Sequence, residues 1–146
     1  MLAAYEDDFE RLDAAIADTM HRLGMPTVRV GIAVVFVWFG ALKILGVSPA
    51  GELVAETVYW FPPEVFVPVL GLWEVVIGLC LLYRPLLRVG LLLLFLQMPG
   101  TFLPLVLLPE VTFETFPYAL TVEGQYIIKN LVIIGAALVV GGTVRE

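Results

Sequence analysis

Four apolar stretches, each long enough to cross a lipid bilayer, occupy most of this 146-residue chain. A membrane-spanning helix needs about 20 mostly apolar residues, and its backbone must satisfy its own hydrogen bonds because lipid offers none. The stretches do not alternate polar with apolar residues, as the strands of a membrane barrel would. The sequence therefore predicts an all-α integral membrane protein, a four-transmembrane-helix antiparallel bundle. The membrane domain covers residues 27–146, with spans over about 27–47, 66–83, 86–108 and 125–143.

The basic residues are divided unequally between the two ends of these spans. The loops at one end carry glutamates and neither lysine nor arginine. Cytosolic loops are enriched in lysine and arginine, so we expect both termini in the cytosol and the acidic loops outside. No basic surface typical of nucleic-acid binding is evident. The arginines all flank the other end, and they are Arg11, Arg22, Arg29, Arg84, Arg88 and Arg145.

A cytosolic amphipathic helix is predicted ahead of the first span, within residues 1–26. Gly24 and Pro26 are typical of a helix end, so a break is expected there. Two interpretations of residues 4–24 remain open. In the first, the helix packs on the cytosolic end of the bundle or lies in the membrane interface. In the second, it is a docking surface for a cytosolic partner. Its apolar residues recur at helical spacing, and they are Tyr5, Phe9, Leu12, Ile16, Met20 and Leu23.

Five polar residues lie inside the spans, where a charge at the bilayer centre costs at least about 2.5 kcal/mol. Such residues normally pair, face the bundle interior or line a cavity. At 1.5 Å per helical residue, four of them, one from each span, lie about 14 to 24 Å above the arginines. We therefore expect a cluster in the outer half of the bundle. The five residues are Lys43, Glu74, Gln97, Lys129 and Asn130.

The direction of helical side chains favours one ion pair within this cluster. Side chains lean toward the N-terminus of their own helix, so Lys43 and Glu74 lean toward each other. In one interpretation the cluster only holds helices together, with Gln97 and Asn130 bonding across helices and Lys129 reaching the outer interface. In the other it is an outward-facing site whose net positive charge suits an anionic or electron-rich ligand, such as a quinone carbonyl or a small oxyanion.

Proline and glycine in the third span predict a kink at Pro99, Gly100 and Pro104. Irregular backbone at membrane depth is tolerated where it lines a cavity or is buried in protein. In the outer loops, residues 48–65 predict a short interfacial helix, and residues 109–124 predict a short hairpin. One histidine and one cysteine, Cys80, do not predict a metal site.

The spans carry a family resemblance in FVWFGALK, GLWEVVIG, MPGTF and GQYIIKNLVIIGAAL. These segments resemble the DoxX-like membrane superfamily, and its YkgB/RclC-type branch in particular, over about residues 28–143. The more specific matches are Lys43, Glu74, and Gly124 with Lys129. The resemblance implies a four-helix bundle in the prokaryotic plasma (inner) membrane, a link to oxidant or thiol stress, and redox enzymes as partners. Residues 4–24 lie outside the family pattern and are the candidate contact for such a redox partner.

Three functions follow as hypotheses. The leading one is a redox- or oxidant-stress-associated membrane subunit that binds a quinone-like or small electron-rich molecule in the polar cluster. Quinone is then the cofactor implied, and independent catalysis is not expected. The second is a small-solute or ion permease formed by homo-oligomerisation in the bilayer. The third is a structural subunit whose buried polar residues only specify helix packing.

Overall fold

A computed structural model describes residues 2–146, with side chains from Tyr5 onward. The described chain is mostly helical, and four of its helical segments are long and apolar enough to cross a membrane. This agrees with the predicted all-α membrane class. The four segments are Tyr5–Ile44, Pro63–Leu82, Arg84–Leu107 and Val122–Gly142.

The first helix, α1 (Leu2–Ile44), is longer than the predicted first span. The break expected at Gly24 and Pro26 is wrong, because the helix runs through both residues without interruption. A proline removes one backbone hydrogen bond from a helix, and membrane helices tolerate this loss. The apolar stripe ahead of the span stays exposed; Phe9, for example, is 68% exposed. Packing of this stripe on the rest of the chain is therefore not observed.

The second span, α3 (Pro63–Leu82), packs against α1 more extensively than any other two elements pack together. Glycines bring the two backbones together. A Cβ atom at Gly40 would collide with the Gly71 carbonyl, and one at Gly78 would collide with Val37. Small residues at a membrane helix interface allow this close approach. The α1–α3 interface is therefore closely packed, and it lies beside Lys43 and Glu74.

The third and fourth spans are each interrupted once. The third consists of α4 (Leu87–Phe102) and α5 (Pro104–Leu107), so the interruption lies at Leu103. Pro99 and Gly100 remain helical, and only Pro104 lies beside the interruption predicted for this region. The fourth consists of α7 (Val122–Ile128) and α8 (Asn130–Gly142), and Lys129 lies between them. This second interruption was not predicted.

Short elements cover the ends of the spans where the predicted outer loops lie. A short helix is present in the first of these loops, as expected, and is α2 (Gly51–Thr57); α6 (Pro109–Thr112) follows the third span. The expected hairpin is present as antiparallel strands β1 (Phe113–Thr115) and β2 (Ala119–Leu120). Thr121 then caps α7 by accepting a hydrogen bond from the Gly124 amide.

Arginines close the helix ends on the opposite rim. Arg29 Nη2 donates to the Leu82 carbonyl at the end of α3 at 2.7 Å, and Arg84 Nη2 donates to the Thr143 carbonyl after α8 at 3.3 Å. The last carbonyls of a helix lack partners within it, and a cation there also interacts favourably with the helix dipole. These bonds bring Arg29 of α1 to the C-terminal end of α3.

Substituting Gly71 with alanine should destabilise the fold. The added Cβ would meet the Gly40 carbonyl and Lys43 Cβ, and overpacking of this kind costs roughly 1–3 kcal/mol. The matched control is Gly135→Ala in α8, where a Cβ meets nothing within 4 Å. Thermal unfolding in detergent should show a lower midpoint for Gly71→Ala and no loss for the control. Equal midpoints for both variants would show that the α1–α3 approach is not tight.

Candidate functional site

The polar residues predicted inside the spans border one cavity. It has a volume of about 440 Å³ and lies between the spans, beneath α2. Lys43 comes from the last turn of α1, Glu74 from the middle of α3 and Gln97 from α4, while Lys129 and Asn130 come from the interruption in the fourth span. The sequence placed these residues at similar depth, and the structure brings them to the same cavity.

The predicted ion pair between Lys43 and Glu74 is present. Lys43 Nζ lies 2.7 Å from Glu74 Oε2. Lys43 is 4% exposed and Glu74 is 7% exposed. A buried charge is tolerated when a partner compensates it and hydrogen bonds satisfy the remaining polar atoms. Within residues 5–146, the other ion pair, Arg22 with Asp18, is on the surface.

Gln97 bonds to the second oxygen of the Glu74 carboxylate. Its Nε2 donates to Glu74 Oε1 at 2.9 Å, so both carboxylate oxygens accept a bond from a different helix. The three side chains therefore form a charge-neutral network, which we call the triad (Lys43, Glu74 and Gln97). The Gln97 Oε1 atom and the Trp73 Nε1 atom are buried and have no hydrogen-bond partner among the described residues.

Lys129 is bound differently from Lys43. Its Nζ lies 3.8 Å from the centre of the Tyr126 ring and 5.5 Å from the centre of the Phe39 ring. The two rings stack with centroids 6.3 Å apart. No carboxylate among the described residues pairs with Lys129. Cation–π contact holds this ammonium in place without neutralising its charge, so the site has one uncompensated cation.

One interpretation of the sequence expected Asn130 to bond across helices, and it does not. Its Nδ2 donates to the carbonyls of Ile127 at 2.9 Å and Tyr126 at 3.3 Å, both in its own span. The interruption at Lys129 disturbs the regular backbone bonding there, and the buried amide bonds to these carbonyls instead. Asn130 thereby stabilises the irregular turn that carries Lys129.

The remaining cavity wall is mostly apolar and aromatic. Of the residues predicted at the kink, Gly100 and Pro104 line the cavity with Thr101, and Pro104 directly follows the interruption at Leu103. Pro99 is not part of the wall. The side chains that form the base and roof are Phe36, Phe66, Trp73, Met98, Leu53, Val54, Val58 and Phe61.

Sequence reasoning missed the aromatic clamp around Lys129. Tyr126 precedes Lys129 by three residues, and residues at this spacing share a helix face. That signal was available within one span. Phe39, however, precedes Lys43 on α1, and its proximity to Lys129 depends on how two spans pack. The roof formed by α2 depends on packing in the same way.

Among residues 5–146, no group of three or more His, Cys, Asp or Glu side chains is placed to hold a metal ion. Cys80 is a buried free thiol. Comparison with protein-family models, with curated proteins and with solved structures found no match. The site is therefore interpreted from its own geometry.

Removing one partner of the ion pair should cost more stability than removing both charges. Glu74→Gln leaves the Lys43 ammonium buried without a counter-charge, which costs roughly 3–5 kcal/mol. Lys43→Met combined with Glu74→Gln removes both charges and should unfold at a higher denaturant concentration than Glu74→Gln alone. Equilibrium unfolding in mixed detergent micelles measures the difference. Strictly additive losses from the two single variants would show that the charges are not coupled.

Proposed function

We propose that the chain is a DoxX-like membrane protein of the YkgB/RclC type in the prokaryotic plasma membrane. In this proposal the four spans form an antiparallel bundle with both termini in the cytosol. The position of every arginine at one rim supports this orientation. The hydrogen bonds from Arg29 to Leu82 and from Arg84 to Thr143 support the antiparallel arrangement, because each joins the start of one span to the end of another.

We further propose that the cavity binds a quinone-like or similarly electron-rich small molecule. One observation carries this proposal: Lys129 has no carboxylate partner and borders a cavity whose other charges cancel. Binding sites typically combine apolar and aromatic walls with a few polar groups, in volumes of roughly 300–1,000 Å³. The cavity of about 440 Å³ falls within that range.

The polar atoms available to a ligand fit a ring with oxygen substituents. Lys129, whose side chain is exposed, can donate to a carbonyl oxygen. The unpartnered Trp73 Nε1 and Gln97 Oε1 atoms are buried in the cavity wall, so either would bond to a ligand only after a side-chain movement. A quinone supplies carbonyl oxygens, its reduced form supplies hydroxyl groups, and an apolar tail would suit the remaining wall.

The triad gives such a site its rigidity. Lys43 Nζ and both oxygens of Glu74 have partners within the triad, so the ion pair needs no ligand to remain buried. We assign the triad a positioning role, with Gln97 Oε1 as its one unpartnered atom, and assign direct ligand contact to Lys129. In this proposal the chain supplies a membrane binding site to a redox or oxidant-stress system, and the electron-transfer partner is a separate protein.

One observation favours a purely structural role as the second candidate. The triad bonds three spans together, which is sufficient reason for three polar residues in a membrane interior. In this candidate the exposed Lys129 side chain reaches the outer interface, whereas the ligand proposal assigns its ammonium to the cavity. The two candidates therefore differ in what they expect of Lys129.

Substituting Lys129 with methionine should weaken binding of a short-chain quinone about 10- to 100-fold, since a hydrogen bond to a charged group contributes roughly 1.5–3 kcal/mol. Quenching of tryptophan fluorescence during titration in detergent provides the measurement. The thermal unfolding midpoint should change little, because Lys129 has no ionic partner among the described residues and methionine can keep a favourable contact with the Tyr126 ring.

Lys129→Arg is the matched control and should retain most of the affinity because it keeps the cation and its donors. Equal quinone affinity for the wild type and Lys129→Met would contradict the proposal. Saturable binding of thiosulfate without quinone binding would replace the quinone with a small oxyanion.

A further inference from the structure

A second groove lies at the arginine-bearing ends of the third and fourth spans, away from the cavity. Arg88 is in the first turn of α4, and Arg145 follows the end of α8. A shallow groove between the two helices contains both side chains. Leu91, Gly141, Gly142 and Val144 form the rest of its lining.

The two arginines of this groove are unengaged, in contrast to their neighbours. Arg29 and Arg84 donate to helix-end carbonyls. Arg88 and Arg145 are exposed, and within the described chain no carboxylate or carbonyl bonds to either guanidinium. Two free guanidiniums in one groove attract an anion strongly. The planar arrangement of the arginine donors also matches the oxygens of a phosphate group.

The glycines leave room for an occupant between the arginines. A Cβ atom at Gly142 would meet nothing within 4 Å, and one at Gly141 would touch only Leu91 at 3.7 Å. Because these two residues have no side chain, the groove between α8 and α4 stays open. An anionic group can reach the groove without moving either helix.

We propose that this groove binds the phosphate of an anionic phospholipid. Arg88 lies near the start of the third candidate span and Gly142 at the end of the fourth, so an occupant would lie at the level of the lipid headgroups. The apolar Leu91 and Val144 beside the arginines suit the glycerol and the first acyl carbons better than they suit a fully hydrated phosphate ion. Basic pockets between membrane helices are known to bind anionic headgroups.

The test is a titration of the detergent-solubilised full chain with short-chain phosphatidylglycerol, followed by the thermal unfolding midpoint. Phosphatidylcholine and inorganic phosphate are titrated in parallel. The wild type should be stabilised by phosphatidylglycerol and not by the other two. Arg88→Gln with Arg145→Gln should lower the apparent affinity about 25-fold, about fivefold for each arginine removed.

The matched control, Arg11→Gln with Arg22→Gln, removes the same charge from the N-terminal segment of α1 and should bind phosphatidylglycerol as the wild type does. If the glutamine variant does not fold, Arg88→Lys with Arg145→Lys keeps the charge and should still bind more weakly than the wild type, since lysine cannot form the paired guanidinium bonds. Equal weakening by the control, equal stabilisation by phosphatidylcholine, or equal stabilisation by inorganic phosphate would overturn the proposal.

Discussion

The ion pair between Lys43 and Glu74 constrains the rest of the membrane-spanning structure. A charged pair in a region without water is stable only at short range and with its other polar atoms bonded. The 2.7 Å separation requires α1 and α3 to approach closely, which Gly40 and Gly71 permit. The second carboxylate oxygen then requires a donor from α4, which is Gln97. Three of the four spans are thus held together by one carboxylate.

The fourth span contributes a different kind of group to the same cavity. Its helix is interrupted at Lys129, and the Asn130 amide bonds to nearby carbonyls. The Lys129 ammonium lies over the Tyr126 and Phe39 rings and has no carboxylate partner among the described residues. A neutral triad therefore forms one side of the cavity, and an uncompensated cation forms another. This division separates residues that maintain the fold from the residue available to a ligand.

Patterns that act within one span were readable from the sequence. The four spans and the depth of the polar residues followed from hydropathy and helical rise. The direction of helical side chains was sufficient to pair Lys43 with Glu74. Features that depend on competition between local and tertiary interactions were not readable. Pro26 was expected to end a helix and does not. Asn130, which one of the two interpretations expected to bond across helices, bonds within its own span. The stacking of Phe39 on Tyr126 depends on the packing of two spans.

Ligand binding at Lys129 is tested most directly by identifying the small molecules that copurify with the chain in mild detergent. Extracts of the wild type and of Lys129→Met, purified from the same cells, would be compared by mass spectrometry. A quinone-like ring compound should accompany the wild type in near-stoichiometric amount and be depleted from the variant. Equal amounts in both preparations, or phospholipid alone in both, would contradict a ligand site at Lys129 and leave the cluster with a packing role.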